Sequence, residues 1–415
     1  MKTVDQHVAD IVGTVRPLDP VEVDLADAHG TVLAEPVTAP VSLPPFDNSA
    51  MDGYAVRAAD VTEATEASPV SLLVVGDIAA GDTAAHTVNA GTTLRIMTGA
   101  PMPSGADAVV PVEWTDGGVT RVEIRRPAAA GGAVRPAGGD VLAGAEVLTP
   151  GTRLTAGALG VLAAVGRRKV RVRPRPRVAV LSTGEELVAP GTSLAPGQIW
   201  ESNSYCLAAA AEEVGAVGRR YDAVRDDTST VLRRIQEVLS QADIVVTSGG
   251  VSMGAYDVVK EVLSELGTVT FEQVAMQPGK PQGYGTVGDP AVPILTLPGN
   301  PVSSYVSFAL FVRPALRVLQ GLEPTPLPTV RARLDTPVRS PAGRRSYLRG
   351  VLTYDPAHAA TESGAPPYRV ETASRQESHQ LSALAATDSL VQVPEDETEL
   401  PAGTVVEVVK LPTMM

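Results

Sequence analysis

The stretch Asp243–Gly254, D-I-V-V-T-S-G-G-V-S-M-G, constrains the fold more than any other. Ile244, Val245 and Val246 are continuously apolar and β-branched, the composition of a strand buried on both faces. Thr247 and Ser248 then bring small hydroxyls, and Gly249 and Gly250 remove the Cβ atoms. Backbone without side chains can approach a phosphate closely and offer it N–H groups. Ala255–Leu266 has a helical composition, so the loop joins a strand end to a helix start, where an anion is favoured. By itself the loop is equally compatible with a turn that binds nothing.

Length and composition limit the remaining possibilities. At 415 residues the chain exceeds one ordinary core, and about three domains are expected. Gly (38) and Pro (35) are plentiful and aromatics few (4%), which favours short elements and turns over a helical bundle. A net charge of −13 argues against general nucleic-acid or anionic-membrane binding but permits a local basic pocket. The single cysteine, Cys206, excludes an internal disulfide and a cysteine-cluster metal site. The N-terminal residues do not resemble a signal peptide, and no stretch reaches the ~20 apolar residues of a spanning helix. A cytoplasmic setting is the default expectation.

Along the chain, Val4, Val8, Ile11, Val12 and Val15 mark an amphipathic helix ending near Pro17. Pro44–Arg57, P-P-F-D-N-S-A-M-D-G-Y-A-V-R, reads either as a capped turn or as a polar finger reaching into a site. Segments 70–75, 93–97, 108–114 and 119–124 alternate like strands of a small β domain. Arg135 and Asp140 stand in a Gly-rich return, and 154–165 resembles a helix. Arg167–Arg177 is basic but lacks aromatics, and with Pro174 and Pro176 it reads as an extended linker.

From Pro176 strands and helices alternate. Strands are expected at 177–181, 217–224, 244–246, 269–276 and 293–297. Helices are expected at 204–214, capped by Ser202 and Asn203, at 229–242, at 255–266 and at 302–320, bent at Pro314. This order implies a parallel, doubly wound α/β sheet. S-T-G-E-E, R-D-D, T-S-G-G-V-S-M-G and P-G-N-P each follow a strand, so Glu186, Asp226 and Asp257 are expected on one rim beside the Gly-rich loop. Acids beside a phosphate loop make sense if Mg²⁺ bridges them. Beyond Pro324, segments 330–334, 347–353, 389–393 and 405–409 read as a small β barrel or sandwich, with Arg344, Arg345 and Arg349 as a basic corner.

F-D-N-S-A-M-D-G-Y-A-V-R, M-T-G-A-P, S-T-G-E-E-L, R-D-D, T-S-G-G-V-S-M-G-x-Y-D, P-G-K-P and L-P-G-N-P-V-S occur in this order over nearly the whole chain. Together they resemble the molybdopterin molybdenumtransferase family, which includes bacterial MoeA and the gephyrin E domain. The resemblance implies four parts: a discontinuous helical and linker domain (1–46 and 141–175), an inserted β domain (47–140), an α/β molybdopterin-binding domain (176–323) and a C-terminal β barrel (324–415). It implies a homodimer. The implied reaction combines adenylyl-molybdopterin with molybdate, hydrolysing the adenylate with Mg²⁺ and releasing AMP. Transient contacts with a molybdopterin adenylyltransferase and with molybdoenzyme-maturation proteins are implied too, and neither nucleic acid nor membrane.

Residue by residue, Asp257, Asp226 and Glu186 match the family's essential acids and would hold the metal. Asp52 and Thr98 match positions that reach the site from the partner subunit. Lys280, Arg344, Ser303 and Ser378 match oxyanion positions. Thr247, Ser248, Gly249, Gly250 and Ser252 form the phosphate loop, and Pro298, Gly299, Asn300 and Pro301 the loop beneath it. Some members carry lysine where this chain has Gln273 and Gln277, and each lost charge should weaken anion attraction by about 1 kcal/mol if partly buried. Two other functions remain open: adenylylation of molybdopterin, whose enzymes continue the T-S-G-G loop with Thr-Gly rather than Val251-Ser252, and a non-enzymatic scaffold.

Overall fold

The structure, a computed structural model, describes residues 1–223, 227–250, 258–265, 268–356 and 366–412. It divides into two compact units. One comprises residues 22–29 and 35–170, the other residues 1–21, 30–34 and 171–415.

In the first unit a five-stranded sheet runs in the order Ala108–Pro111, Gly53–Val56, Thr92–Ile96, Val70–Ile78, Arg121–Ile124. The four strand segments expected from alternation are present. Gly53–Val56 is more than a polar turn or finger. It is a fully buried strand paired on both sides, to Ala108–Pro111 and to Thr92–Ile96. Glycine is required at its start because a Cβ on Gly53 would overlap the Val110 carbonyl. Ala156–Ala164 is helical, with the Thr155 hydroxyl accepting from Ala158 N–H.

The second unit opens with helix Val4–Thr14, started by a reciprocal Thr3–Gln6 capping box. Its main sheet has the order Val217–Arg220, Arg177–Ser182, Ile244–Ser248, Val292–Leu297, Pro281–Val287, Val269–Gln273. The first four strands are parallel, as the alternation of elements predicts. Pro281–Val287 was not expected. It runs antiparallel to both neighbours and gives the sheet a mixed edge.

Successive strand residues bury on opposite faces. Val178, Val180, Ile244, Val246, Leu295 and Leu297 pack under helices Asn203–Glu213 and Pro301–Ser307. Ala179, Leu181, Val245 and Ile294 pack under Thr228–Leu239 and Val258–Glu265. Burial of each such aliphatic side chain is worth about 1.5–3 kcal/mol, so the central strands hold the layers together.

Pro301–Leu319 is the one described helical run long and apolar enough to cross a membrane, but 72% of it is buried inside the fold. It is the core helix of this unit. Pro314 cannot donate a backbone hydrogen bond, and the helix passes through a π-helical turn at Phe308–Val312 just before it.

The C-terminal strands close on themselves in the order Arg345–Tyr354, Tyr368–Thr372, Thr329–Leu334, Val405–Lys410, Ser389–Val393, and back to Arg345–Tyr354. The result is a five-stranded barrel, onto which Met276–Gln277 adds in parallel beside Arg345 and Ser346.

Two sequence expectations change here. The basic run is no simple linker, since Lys169–Arg173 is a strand, and Arg175 and Arg177 pair with Glu212 (2.6 Å) and Asp243 (2.7 Å). Nor do Arg344, Arg345 and Arg349 form a free basic corner. Arg345 pairs with Asp5 and Glu395, and Arg349 is wholly buried.

Candidate active site

Strand register builds the rim. Ser182 lies level with Ser248, and Ser248 with Leu297, so three adjacent parallel strands end together. Their loops, starting at Thr183, Gly249 and Pro298, therefore share one edge, the position where open α/β sheets bind ligands. The antiparallel strand completes it. Its register sets Gly283 against Thr296, which brings its start at Lys280–Pro281 beside Pro298. A cleft of about 660 Å³ opens there, lined by all these segments.

Gly249 (φ +94°) and Gly250 (φ +73°) turn the chain sharply at the cleft floor. A Cβ on Gly249 would come within 2.7 Å of the Thr183 carbonyl oxygen, so glycine is needed for space as well as conformation. The Gly249 N–H donates to Leu297 O at 3.1 Å and is not free for a ligand, contrary to the expectation that both glycines offer donors.

Ser248 ties the loops together. Asn203 Nδ2 donates to Ser248 Oγ and to Gly299 O, each at 2.7 Å. Ser248 Oγ also lies 2.9 Å from Ser304 Oγ. Asn203 thus bridges two loops and does not cap its helix, and Ser202 makes no capping bond either. The cap comes from Glu201, which sequence reasoning missed. Its buried carboxylate accepts from Ser204 N–H (2.7 Å), Ser204 Oγ (2.6 Å) and Ser182 Oγ (2.7 Å). The signal lay one residue upstream of where it was sought, in E-S-N.

Of the expected site residues, Glu186, Ser248, Gly249, Gly250, Lys280, Pro298, Gly299, Asn300, Pro301, Ser303 and Ser378 all line the cleft. Asn300 Nδ2 donates to Ser378 Oγ (3.0 Å) and Val302 N–H to Ser378 O (3.0 Å), fixing that serine against the Pro298–Pro301 loop. Lys280 is half-buried, with no ion pair among the described residues. Glu186 is exposed on the rim, its carboxylate folded close over Gly184. Thr247 is buried in its strand and does not line the cleft. Arg344 stands one layer back and donates to Gln277 Oε1 at 3.3 Å, while Gln277 itself lines the cleft.

Asp52 and Thr98 belong to the other unit, where they bond to each other. Asp226, Ser252 and Asp257 lie outside the described residues. No group of three metal-ligating side chains occurs among the described residues. The Cys206 thiol is pushed up to about 11 by burial, which disfavours the thiolate.

Among the described residues the arrangement offers one cation without an ion pair, one exposed acid and Cβ-free backbone at a strand-end cleft. That set suits an anionic, phosphate-bearing ligand. Residues 2–166 match the MoeA N-terminal region (domain I and II), 179–318 a probable molybdopterin binding domain, and 331–411 the MoeA C-terminal region (domain IV). Molybdopterin molybdenumtransferase 2 of Mycobacterium tuberculosis is 45% identical over 414 residues, covering 98% of this chain and 99% of the relative.

The chain belongs to the molybdopterin molybdenumtransferase family. It is a transferase of molybdenum cofactor biosynthesis, as the resemblance in its motifs implies. The molybdopterin molybdenumtransferase of Nostoc is 40% identical, covering 94% of this chain and 88% of the relative. Among solved structures, the MoeA protein of Pyrococcus horikosii superposes with a TM-score of 0.80 at 33% identity, covering 98% of each chain. The family match places the probable molybdopterin-binding region across the cleft's parallel strands, 179–318.

Proposed function

We propose that this molybdopterin molybdenumtransferase takes adenylyl-molybdopterin and molybdate, hydrolyses the adenylate and leaves molybdenum on the dithiolene sulfurs. Water adds to one phosphorus as the P–O–P bond breaks, giving AMP and the molybdopterin phosphate. Two thiol protons leave with one molybdate oxide as water, and two Mo–S bonds form. Lys280, which makes no ion pair among the described residues, is the observation that carries this reading. A lone ammonium beside a Cβ-free loop favours a dianion.

Mg²⁺ fits the donor set. It needs one or two carboxylates plus phosphate oxygens. Glu201 is saturated by three donors, whereas Glu186 is exposed at the rim, and Asp226 and Asp257 would join it. When bound, the ion would neutralise charge on the pyrophosphate. Lys280, Arg344 acting through Gln277, Ser303 and Ser378 would orient the oxyanions. The proposal includes a homodimer in which Asp52 and Thr98 serve the partner's cleft, a cytoplasmic setting, and transient contacts with a molybdopterin adenylyltransferase and with molybdoenzyme-maturation proteins.

The test supplies purified protein with adenylyl-molybdopterin, molybdate and Mg²⁺. Stoichiometric AMP release is expected, lost in Asp257→Asn with the fold retained. ATP consumption, or no AMP from the wild type, would sink the reading.

A further inference from the structure

The cleft carries one feature that phosphate and molybdate chemistry leave unused. Trp200 and Ile199 line it while 51% and 53% exposed, in a chain with two tryptophans and few aromatics. We infer that Trp200 is a stacking surface for the flat, nitrogen-rich ring of the substrate, a deepening that rests on the reaction proposed above.

Its setting is rigid. Ile199 and Trp200 pair in parallel with Leu187 and Val188. Backbone bonds hold both ends of this short ladder: Ile199 N–H to Glu186 O (2.8 Å) and Glu201 N–H to Val188 O (2.9 Å). The indole Nε1–H donates to Thr192 O at 2.8 Å, which fixes the ring's polar edge. About half of the residue is exposed, and among the described residues no aromatic ring or cation stacks on Trp200, whereas Arg126 covers the ring of Trp114 at 5.8 Å.

The ladder continues directly into Glu201, whose carboxylate is held by three donors, and then into Asn203, which ties Ser248 to Gly299. The indole is thereby indexed to the same loops that would hold the phosphates. The rest of the cleft offers mainly glycine, proline, serine and asparagine with one lysine, so the anionic middle of the substrate suits its hydroxyl, amide and ammonium groups. Its flat ends need an apolar face, and a fixed, exposed indole supplies one. Pterin and adenine share this chemistry, and both occur in adenylyl-molybdopterin.

The experiment measures binding of three separate probes, AMP, a pterin-6-ylmethyl phosphate and inorganic phosphate, to wild type, Trp200→Phe and Trp200→Ala. Quenching of indole emission by one ring probe is expected in the wild type. Trp200→Ala should weaken that probe about ten-fold, and Trp200→Phe much less, with inorganic phosphate unchanged. The probe affected assigns the ring, pterin or adenine. Equal binding of both ring probes by Trp200→Ala would overturn the inference, as would a change in oligomeric state in that variant, which would assign the indole to a subunit contact. AMP release by the wild type is read in parallel. Its absence sinks the reaction, whereas normal release with unaffected ring binding in Trp200→Ala sinks only the stacking role.

Discussion

Asp52 Oδ1 accepts two hydrogen bonds from Thr98, one from the backbone N–H at 2.7 Å and one from Oγ1 at 2.8 Å. The two residues are 46 positions apart and flank the strands that pair Gly53 with Ile96. Backbone donation first, and the hydroxyl second, hold the Asp52 carboxyl below its ordinary 3.8.

Thr98→Val keeps the stronger of these influences and removes the other. The Asp52 carboxyl should titrate higher than in wild type while staying below its ordinary value, read by carbon-13 NMR. Thr98→Ser should leave it unchanged. A depressed carboxyl contributes stability above its unfolded value and loses it as pH falls through the folded value. The valine variant should therefore lose less stability in that acidic window. An identical Asp52 titration in Thr98→Val would show the hydroxyl bond to be inconsequential.

Gly249→Ala meets two penalties. Its φ of +94° is strained for any residue with a Cβ, and the new methyl would stand 2.7 Å from Thr183 O. Gly191, between Leu187–Val188 and Ile199–Trp200, has φ +89° but open space around a Cβ. Gly191→Ala should cost about 1–2 kcal/mol of unfolding free energy from backbone strain alone. Gly249→Ala should cost more and should also abolish AMP release. Equal costs in urea unfolding would mean that the loop yields without displacement.

The site's framework was legible because Ile244–Val246 are β-branched and doubly buried, and because S-T-G-E-E, T-S-G-G and P-G-N-P each stand at a strand end. Pro281–Val287 was not legible, for it contains proline and two glycines, residues that disfavour strands. Packing overrode propensity there. A Cβ on Gly283 would lie 2.8 Å from Phe271 Cδ1, and one on Gly285 2.7 Å from Val269 Cα, so close strand approach demands glycine. Missing that strand hid the reason Lys280 reaches the rim. Arg349 misled in the opposite direction. A cluster of arginines suggests a solvated edge, and only closure of the barrel shows that one of them points inward.

His7 is 1% exposed, with Nδ1 2.9 Å from Glu272 Oε1 and its ring edge-on to Phe311 and Tyr284. Burial pushes the imidazole below its ordinary 6.5, and the Glu272 contact opposes that shift. The native imidazole therefore stays neutral at pH values where the unfolded one takes up a proton. Below about 6.5 the unfolded chain binds more protons, so stability falls on acidification towards the folded value. Urea midpoints measured between about pH 7 and about pH 5 should decline. His7→Gln should flatten that decline; an unchanged slope would move the effect to other groups.

Arg349 is fully buried, and its guanidinium donates to three carbonyls of one segment: Gln380 O at 2.6 Å, Arg375 O at 2.8 Å and Glu377 O at 3.2 Å. Gln376 closes the arrangement, accepting from Arg349 N–H and donating to Arg349 O, each at 2.9 Å. The segment stapled in this way carries Ser378 to the cleft. Arg349→Met would strand three carbonyls, each losing a charge-assisted donor, and should cost about 3–5 kcal/mol in urea unfolding. Arg349→Lys should recover part of this, because a point ammonium cannot span a fork's targets. Amide exchange should rise across residues 375–381 in both variants, more in the methionine one, ahead of any change in the strands under the cleft. Uniform exchange throughout the unit would indicate global destabilisation without a local staple, and Ser378 would then owe its position to Asn300 and Val302 alone.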